Sequence, residues 1–179
     1  MSYADDYTGL RNAGAEIVFF SPREDTRREA DAYYCGGGYP ELHAKRLESS
    51  LCVSGLKKAA DSGTPIFGEC GGLMWLSRTV TDSAGKTYRM AGVLDADSLM
   101  QKRFAALGYS IGKTCGSSYL ANGTVFRGHE FHYSVCEADR DARFDFLLSR
   151  GKGIAGGKDG LVCGNTLAGY THIYFGKAF

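Results

Sequence analysis

The sequence predicts an α/β domain with a mostly parallel sheet, helices on both faces and a more β-rich second half. Short apolar runs alternate with helical segments between residues 7 and 77, an order typical of parallel strands joined by crossover helices. After residue 87, apolar and polar residues alternate in runs separated by turn residues, which indicates strands. The 179 residues are 44% hydrophobic and 23% charged, enough apolar material for the core of one domain.

The first half contains three predicted strands and three predicted helices. A helix over 7–14 ends with Gly14 as its C-cap, and Pro40 suits the first turn of a long helix over 41–63. A third helix begins at 73–77. The strands are predicted at 15–22, 32–35 and 64–67, and the second of them leads into three consecutive glycines, Gly36, Gly37 and Gly38.

The second half is predicted to consist of strands joined by hairpin turns. The pair Asn122-Gly123 is a strong hairpin signal. The predicted strand regions are 87–100, 103–115, 118–138 and 161–175, and 149–160 is a glycine-rich loop.

The bulk composition excludes several classes of function. The net charge is +1 with no basic block, which argues against nucleic acid as a partner. No apolar run approaches the roughly 18 residues that span a bilayer, and the polar N-terminal segment is no signal peptide. The six cysteines are scattered without a C-x-x-C pair, so we expect reduced thiols, a cytoplasmic location and no metal site.

A candidate nucleophile lies in the segment Gly68-Glu69-Cys70-Gly71-Gly72, between a predicted strand and a predicted helix. This is the nucleophile-elbow pattern with cysteine in place of serine. Its strained turn needs neighbours without side chains, and the helix dipole favours the thiolate of a group whose free pKa is about 8.5. We expect an accessible sulfur and an oxyanion donor at the Gly71 N–H. The alternative is a buried cysteine in a tight turn.

The glycines after the 32–35 strand offer bare backbone N–H groups to an anion. Gly37 and Gly38 are therefore candidates for a second oxyanion donor and for contact with a substrate carboxylate. The segment is neither a dinucleotide fingerprint nor a Walker A loop. A purely structural strand-to-helix turn explains it equally well.

The base that activates the thiol is predicted to be His172, near the end of the chain. A nucleophile followed by a late histidine is the order of α/β elbow enzymes, although His172 alone could be a core histidine. His129 and His132 are three residues apart on a strand and face opposite sides, so they form no simple metal pair. Tyr174 stands two residues after His172, where an acid would complete a triad, so the prediction is a Cys–His dyad.

Four further motifs are GAEIVFFSPRED (14–25), YYCGGGYPELHA (33–44), PIFGECGGLMWL (65–76) and RGHEFHYS (127–134). With them the chain resembles the C-terminal glutaminase domain of the cobyrinic acid a,c-diamide synthases, which are triad-type glutamine amidotransferases. The likeness covers nearly the whole chain and implies that Cys70 is the nucleophile, His172 its activator, and Gly37 and Gly71 part of the oxyanion region. It also implies substrate contacts from Glu130 and His132.

The resemblance implies that L-glutamine is hydrolysed and that ammonia passes to a synthetase domain or subunit. That partner would use ATP and Mg²⁺ to amidate acetate side chains of a cobyrinate-type tetrapyrrole in cobalamin biosynthesis, and no cofactor is expected in the glutaminase domain itself. The 179 residues correspond to a single glutaminase domain that lacks the N-terminal synthetase domain and the family's first strand. An open sheet edge is then expected, with a homodimer as one outcome.

Three alternatives remain at this stage. The chain could be the glutaminase domain of a nickel sirohydrochlorin a,c-diamide synthase, which shares this domain. It could be another cysteine-elbow hydrolase, such as a peptidase or a glyoxalase-like protein. It could also be a non-catalytic partial domain that only docks onto a synthetase or dimerises.

Overall fold

The computed structural model describes residues 4–23 and 26–175, with side chains from Asp6 onward. Glu24 and Asp25, which belong to the motif at 14–25, lie outside that range. The helices are α1 (Ala4–Asn12), α2 (Ala44–Glu48), α3 (Leu51–Asp61) and α4 (Gly71–Leu76), with a 3₁₀ turn at Pro40–His43. The strands are β1 (Tyr33–Cys35), β2 (Ile66–Glu69), β3 (Thr79–Thr81), β4 (Thr87–Arg89), β5 (Ala96–Met100), β6 (Ala106–Thr114), β7 (Val125–His132), β8 (Ser134–Ala138), β9 (Arg143–Arg150), β10 (Lys158–Cys163), β11 (Thr166–Gly169) and β12 (His172–Ile173).

The main sheet has eight strands in the order β1-β2-β11-β10-β9-β6-β7-β12, and a second sheet has the order β4-β3-β5-β8. The predicted α/β class is confirmed, but the main sheet is mixed rather than mostly parallel. Its parallel pairs are β1 with β2 and β2 with β11, and its other neighbours are antiparallel. The reason is the short connections of the second half, which join antiparallel strands but are too short for parallel crossovers.

Helices cover both faces of the sheet at β1, as predicted. Tyr33 and Cys35 join a buried cluster that includes Leu56 of α3 and Leu73 of α4. Because side chains alternate along a strand, Tyr34 points to the opposite face, where its ring lies 6.4 Å from that of Tyr7 in α1. The end of the sheet that carries the nucleophile is therefore packed from both sides.

Two predicted elements of the first half are wrong. The segment 15–22 forms no strand, and Val18 and Phe19 are 53% and 64% exposed. A strand needs a neighbour for its backbone groups, and β1 pairs only with β2 in the described residues. An apolar groove of about 1470 Å³, lined by residues of 17–20 and 32–38, lies there instead.

The long helix predicted over 41–63 is interrupted. It is divided into the 3₁₀ turn, α2 and α3, and Ser50 begins α3 by accepting a hydrogen bond from the N–H of Val53 at 3.3 Å. Serine favours helix starts over helix interiors because its hydroxyl satisfies a free backbone N–H.

Candidate active site

Cys70 occupies the strand–turn–helix elbow predicted from the sequence. It lies between the end of β2 and the start of α4, with φ 50° and ψ −100°, and it is the one non-glycine residue with positive φ in the described parts of the chain. Its N–H donates to the carbonyl oxygen of Gly169 in β11 at 2.8 Å. This costly backbone conformation is held in place by β11, as expected for a nucleophile that must project from a turn.

The glycines after Cys70 permit close contact between α4 and the loop that follows β1. A Cβ on Gly71 would lie 2.6 Å from the backbone N and O of Gly38, and one on Gly72 would lie 1.9 Å from the carbonyl oxygen of Cys35. No side chain fits at either position. The two glycine segments singled out in the sequence are therefore packed against each other, which places Gly38 directly beside the elbow.

The sulfur is less accessible than expected. Cys70 is 7% exposed, and its Sγ lies 3.6 Å from the carbonyl oxygen of Phe131 in β7. The expectation of an open thiol rested on the elbow alone and did not include the neighbouring strand. β7 covers the turn, and its backbone at Phe131, within the motif at 127–134, contacts the sulfur.

His172 reaches the elbow through a short connection between β11 and β12. Asp159, fully buried in β10, accepts hydrogen bonds from the N–H groups of Tyr170 and Thr171 at 3.0 and 2.9 Å. His172 then pairs with His129 of β7. A carboxylate that satisfies two adjacent buried N–H groups fixes the direction in which the chain carries the histidine.

The imidazole of His172 is 6% exposed and interacts with two groups of the elbow. Burial lowers the pKa of His172, but its interactions with Cys70 and with the Glu69 carboxylate outweigh burial and raise the pKa to about 9. The structure thus brings together the two residues of the predicted dyad.

A carboxylate that the sequence analysis did not assign lies on the other side of His172. Glu69 Oε2 is 3.7 Å from His172 Nδ1. Glu69 Oε1 accepts from the N–H of Ile173 at 2.8 Å, and Oε2 accepts from the hydroxyl of Tyr34 at 2.5 Å. The motif around Cys70 contained this glutamate, but its position before the nucleophile gave no reason to connect it with a histidine about a hundred residues away.

Gly37 and Gly38 lie beside the apolar groove next to β1, together with Gly71. The close packing of Gly38 against Gly71 agrees with a shared role at the elbow. Their roles as oxyanion donors stay predictions, because they concern a charge that forms only during reaction.

Glu130 and His132, whose substrate contacts stay predictions, are both buried and make contacts within the domain. Glu130 is 3% exposed, and its two carboxylate oxygens accept from the N–H groups of Lys152 and Gly153, each at 2.9 Å. His132 is 5% exposed, stacks on Tyr170 at 3.5 Å, and its Nδ1 lies 2.8 Å from the carbonyl oxygen of Ser134. Burial lowers the pKa of His132. Glu130 thus connects β7 to the turn at 152–153, and His132 contacts Ser134 at the start of β8 and the ring of Tyr170.

Within residues 4–23 and 26–175, no cluster of three or more His, Cys, Asp or Glu side chains is arranged to hold a metal ion. Over the same residues, no helix is long and apolar enough to cross a membrane.

Solved structures that share this fold include a glutamine amidotransferase. A crystal structure described as a glutamine amidotransferase superposes with a TM-score of 0.66 at 18% identity, covering 94% of this chain and 83% of that one. PurLQS from Thermotoga maritima has a TM-score of 0.65 at 14% identity, covering 95% of this chain and 80% of that one. At such identities the likeness concerns the fold, which is that of the class I glutamine amidotransferases.

Sequence similarity assigns the chain to a narrower family than the fold does. Residues 1–178 match the CobB/CobQ-like glutamine amidotransferase domain, and the chain belongs to that family. Cobyrinate a,c-diamide synthase of Methanosarcina barkeri is 43% identical over 192 residues, covering 96% of this chain and 38% of that protein. The enzyme of the same name from Halobacterium salinarum is 44% identical over 162 residues, covering 89% and 37%. The chain thus spans about two fifths of the length of these relatives.

Proposed function

We propose that this chain hydrolyses L-glutamine and supplies ammonia to an ATP-dependent synthetase that amidates acetate side chains of cobyrinate. The observation that carries the proposal is the pairing of Cys70, on a positive-φ turn, with His172, whose pKa is raised to about 9 by interactions with Cys70 and Glu69 that outweigh burial. The relatives named above support the choice of cobyrinate over a nickel tetrapyrrole, since both bear the name cobyrinate a,c-diamide synthase.

In the first half of the proposed reaction, the Cys70 thiolate attacks the side-chain amide carbon of glutamine. The carbon–oxygen π bond opens, and the oxyanion is held by backbone N–H groups of Gly71 and of Gly37 or Gly38. The His172 imidazolium gives its proton to the amide nitrogen, the carbon–nitrogen bond breaks, and ammonia leaves. A thioester between glutamate and Cys70 remains.

In the second half, His172 takes a proton from water as the water oxygen attacks the thioester. The carbon–sulfur bond breaks and regenerates the thiolate beside the imidazolium, and glutamate departs. The same imidazole thus acts as acid and then as base, which needs one nitrogen facing the sulfur throughout.

The proposal includes a synthetase that is separate from this domain. The synthetase would bind ATP, Mg²⁺ and the tetrapyrrole, and it would activate the tetrapyrrole carboxylate that ammonia attacks. All six cysteines are free thiols, which supports a reducing compartment such as the cytoplasm.

The glutaminase step is tested by measuring glutamate and ammonia formation from L-glutamine. We expect turnover by the parent chain, covalent labelling of Cys70 by 6-diazo-5-oxo-L-norleucine, and loss of both in Cys70→Ala. Cys163→Ala removes a half-buried thiol elsewhere and is the matched control. Equal turnover by Cys70→Ala and the parent chain contradicts the proposal, and peptide or methylglyoxal turnover with glutamine inert indicates another elbow hydrolase.

The coupled activity is tested by adding the synthetase part of the Methanosarcina barkeri relative with ATP, Mg²⁺ and cobyrinate. Glutamine-dependent amidation that fails with Cys70→Ala supports the complete proposal. A folded chain that neither takes the label nor releases ammonia, with or without that synthetase, indicates a non-catalytic domain.

We also propose that copies of the chain associate through the edge of the main sheet at β1, which has no second strand partner among the described residues. β1 pairs on one side with β2, and the apolar groove with exposed Val18 and Phe19 flanks its other side. Unpaired strand edges and exposed apolar side chains both favour association. Sedimentation velocity should show a concentration-dependent dimer that Phe19→Lys weakens, and a monomer at all concentrations contradicts the proposal.

A further inference from the structure

Glu69 joins three elements of the site through one buried carboxylate. It is the last residue of β2, directly before Cys70, and its side chain is 2% exposed. Oε1 accepts from the backbone N–H of Ile173 in β12, and Oε2 accepts from the hydroxyl of Tyr34 in β1. A buried carboxylate is costly unless it is paired with a cation as well as hydrogen-bonded, so these two hydrogen bonds leave part of the cost uncompensated.

The imidazole of His172, which can carry a positive charge, lies beside this carboxylate. His172 Nδ1 is 3.7 Å from Glu69 Oε2, and among the described residues this nitrogen is buried without a hydrogen-bond partner. The gap exceeds the 2.7–3.2 Å of a normal N–H···O bond by about half an ångström. Catalytic hydrogen bonds are often long in unliganded sites and shorten when substrate binds.

We propose that Glu69 is the positioning residue for the catalytic base: its carboxylate, fixed by Tyr34 and the Ile173 N–H, accepts the Nδ1 proton of His172 and keeps Nε2 directed at the Cys70 sulfur. The inference rests on the proposed glutaminase function. The proposed acid, Glu69, comes directly before the nucleophile in sequence. The usual triad acid would stand two residues after the histidine, where this chain has Tyr174.

This arrangement assigns a single tautomer to neutral His172. With the proton on Nδ1, held by Glu69, Nε2 carries the lone pair that accepts a proton from the thiol or from water. When Nε2 is protonated, the carboxylate stabilises the resulting imidazolium without taking its proton. Glu69 therefore acts through His172 and contacts no substrate.

The groups around His172 that titrate or carry charge come from several elements. Cys70 lies at the elbow, Tyr34 on β1, and His129 on β7 stacks on His172 with ring centroids 4.7 Å apart. Burial lowers the pKa of His129 and the neighbouring His172 lowers it further, so His129 is the neutral member of the stacked pair at neutral pH. His132 is also kept neutral by burial, and Asp6 of α1 faces Tyr34. Glu69 is thus the carboxylate next to the ring.

The competing explanation is that Glu69 only satisfies the Ile173 N–H. Glu69→Gln distinguishes the two, because its amide oxygen can still accept from that N–H while the negative charge is removed. Asp145→Asn is the matched control, since Asp145 is a fully buried carboxylate that accepts from the N–H of Ser117 at 2.6 Å and faces no imidazole.

The test measures the pKa of His172 by NMR titration of the ring and, separately, the pH dependence of Cys70 alkylation by iodoacetamide, followed by peptide mass spectrometry. In Glu69→Gln we expect the pKa of His172 to fall by about 1 unit or more, alkylation at pH 7 to slow about tenfold, and kcat for glutamine to fall about 10²-fold with little change in KM. Glu69→Asp, which keeps the charge, should recover part of each loss.

An unchanged His172 titration and alkylation profile in folded Glu69→Gln overturns the inference, and so does an equal shift in Asp145→Asn. If Glu69→Gln does not fold, Tyr34→Phe gives the second measurement: removal of the hydroxyl frees Oε2, and an unaltered His172 titration again overturns the inference. If the parent chain does not hydrolyse glutamine, the proposed function fails, while the titration and alkylation profiles still decide the role of Glu69.

Discussion

The imidazole rings of His172 and His129 are stacked, with centroids 4.7 Å apart and planes 9° from parallel. The pair arises because β12 and β7 are antiparallel with these two residues in register. Only one of two stacked imidazoles can be protonated without strong repulsion. The pKa of His172 is raised to about 9 by Cys70 and Glu69 against burial, and that of His129 is lowered by burial and by His172.

Substitution of the two histidines should therefore have unequal effects on glutamine hydrolysis. His172→Gln is expected to lower kcat by about 10²- to 10⁴-fold, the usual contribution of general acid–base catalysis, whereas His129→Gln is expected to lower it by less than about tenfold. Steady-state kinetics at pH 7.5 provide the measurement. A larger loss in His129→Gln would show that the base had been assigned to the wrong ring.

The raised pKa of His172 also predicts how stability depends on pH. The folded-state pKa of about 9 lies above the ordinary 6.5, so the contribution of His172 is fully present below about pH 6.5 and is lost as the pH rises through 9. A shift of this size corresponds to about 3 kcal/mol. Urea unfolding of the parent chain and His172→Gln should show a free-energy difference that shrinks between pH 6.5 and 9. A difference that stays constant over that range argues against the shift.

Backbone packing at the elbow predicts different effects on stability for alanine substitutions at Gly72 and Gly38. A Cβ on Gly72 would lie 1.9 Å from the carbonyl oxygen of Cys35, while a Cβ on Gly38 would have no atom within 4 Å. We expect Gly72→Ala to destabilise the chain by about 1–3 kcal/mol, which lowers the melting temperature by roughly 2–4 °C per kcal/mol in a chain of this size. Gly38→Ala should melt close to the parent chain. Equal melting temperatures would disprove the close approach of α4 to the loop after β1.

The sequence predicted the elbow better than its surroundings, and the difference has a physical cause. The conformation of Cys70 is a local property, because neighbours without Cβ atoms and a change from strand to helix are visible in five consecutive residues. The contacts of Glu69 with Ile173 and His172 depend on the register of β2, β11 and β12, which a single sequence does not reveal. The segment 15–22 has the composition of a strand, yet strand formation needs a partner, and no neighbouring strand pairs with it in the described residues.

The contacts of Glu130 and His132 were also not predictable from the sequence alone. Their motif, RGHEFHYS, was specific enough to support the family, but a family motif does not say which of its side chains face the substrate. In the structure Glu130 holds the turn at Lys152 and Gly153. We expect Glu130→Gln to lower the melting temperature while KM for glutamine changes less than about twofold. The substitution replaces one of the two carboxylate oxygens that accept from backbone N–H groups with an amide donor, which costs about 1–3 kcal/mol of stability. A many-fold rise in KM at unchanged stability would instead support the predicted contact of Glu130 with the substrate.

The buried Asp159 links the architecture to the position of the base. Its carboxylate accepts from the N–H groups of Tyr170 and Thr171 and lies against Gly169, where a Cβ would be 2.7 Å from Oδ1. Asp159→Asn places an amide donor among backbone donors, so we expect a loss of about 1–3 kcal/mol in unfolding free energy. Because the same turn carries His172, kcat should fall as well, even at temperatures where the variant is fully folded. The measurement is glutaminase activity of the variant and of Asp145→Asn at matched distance below their melting temperatures. If both variants keep the parent kcat, the turn does not position the base, and the direction of His172 must be set by its pairing with β7 alone.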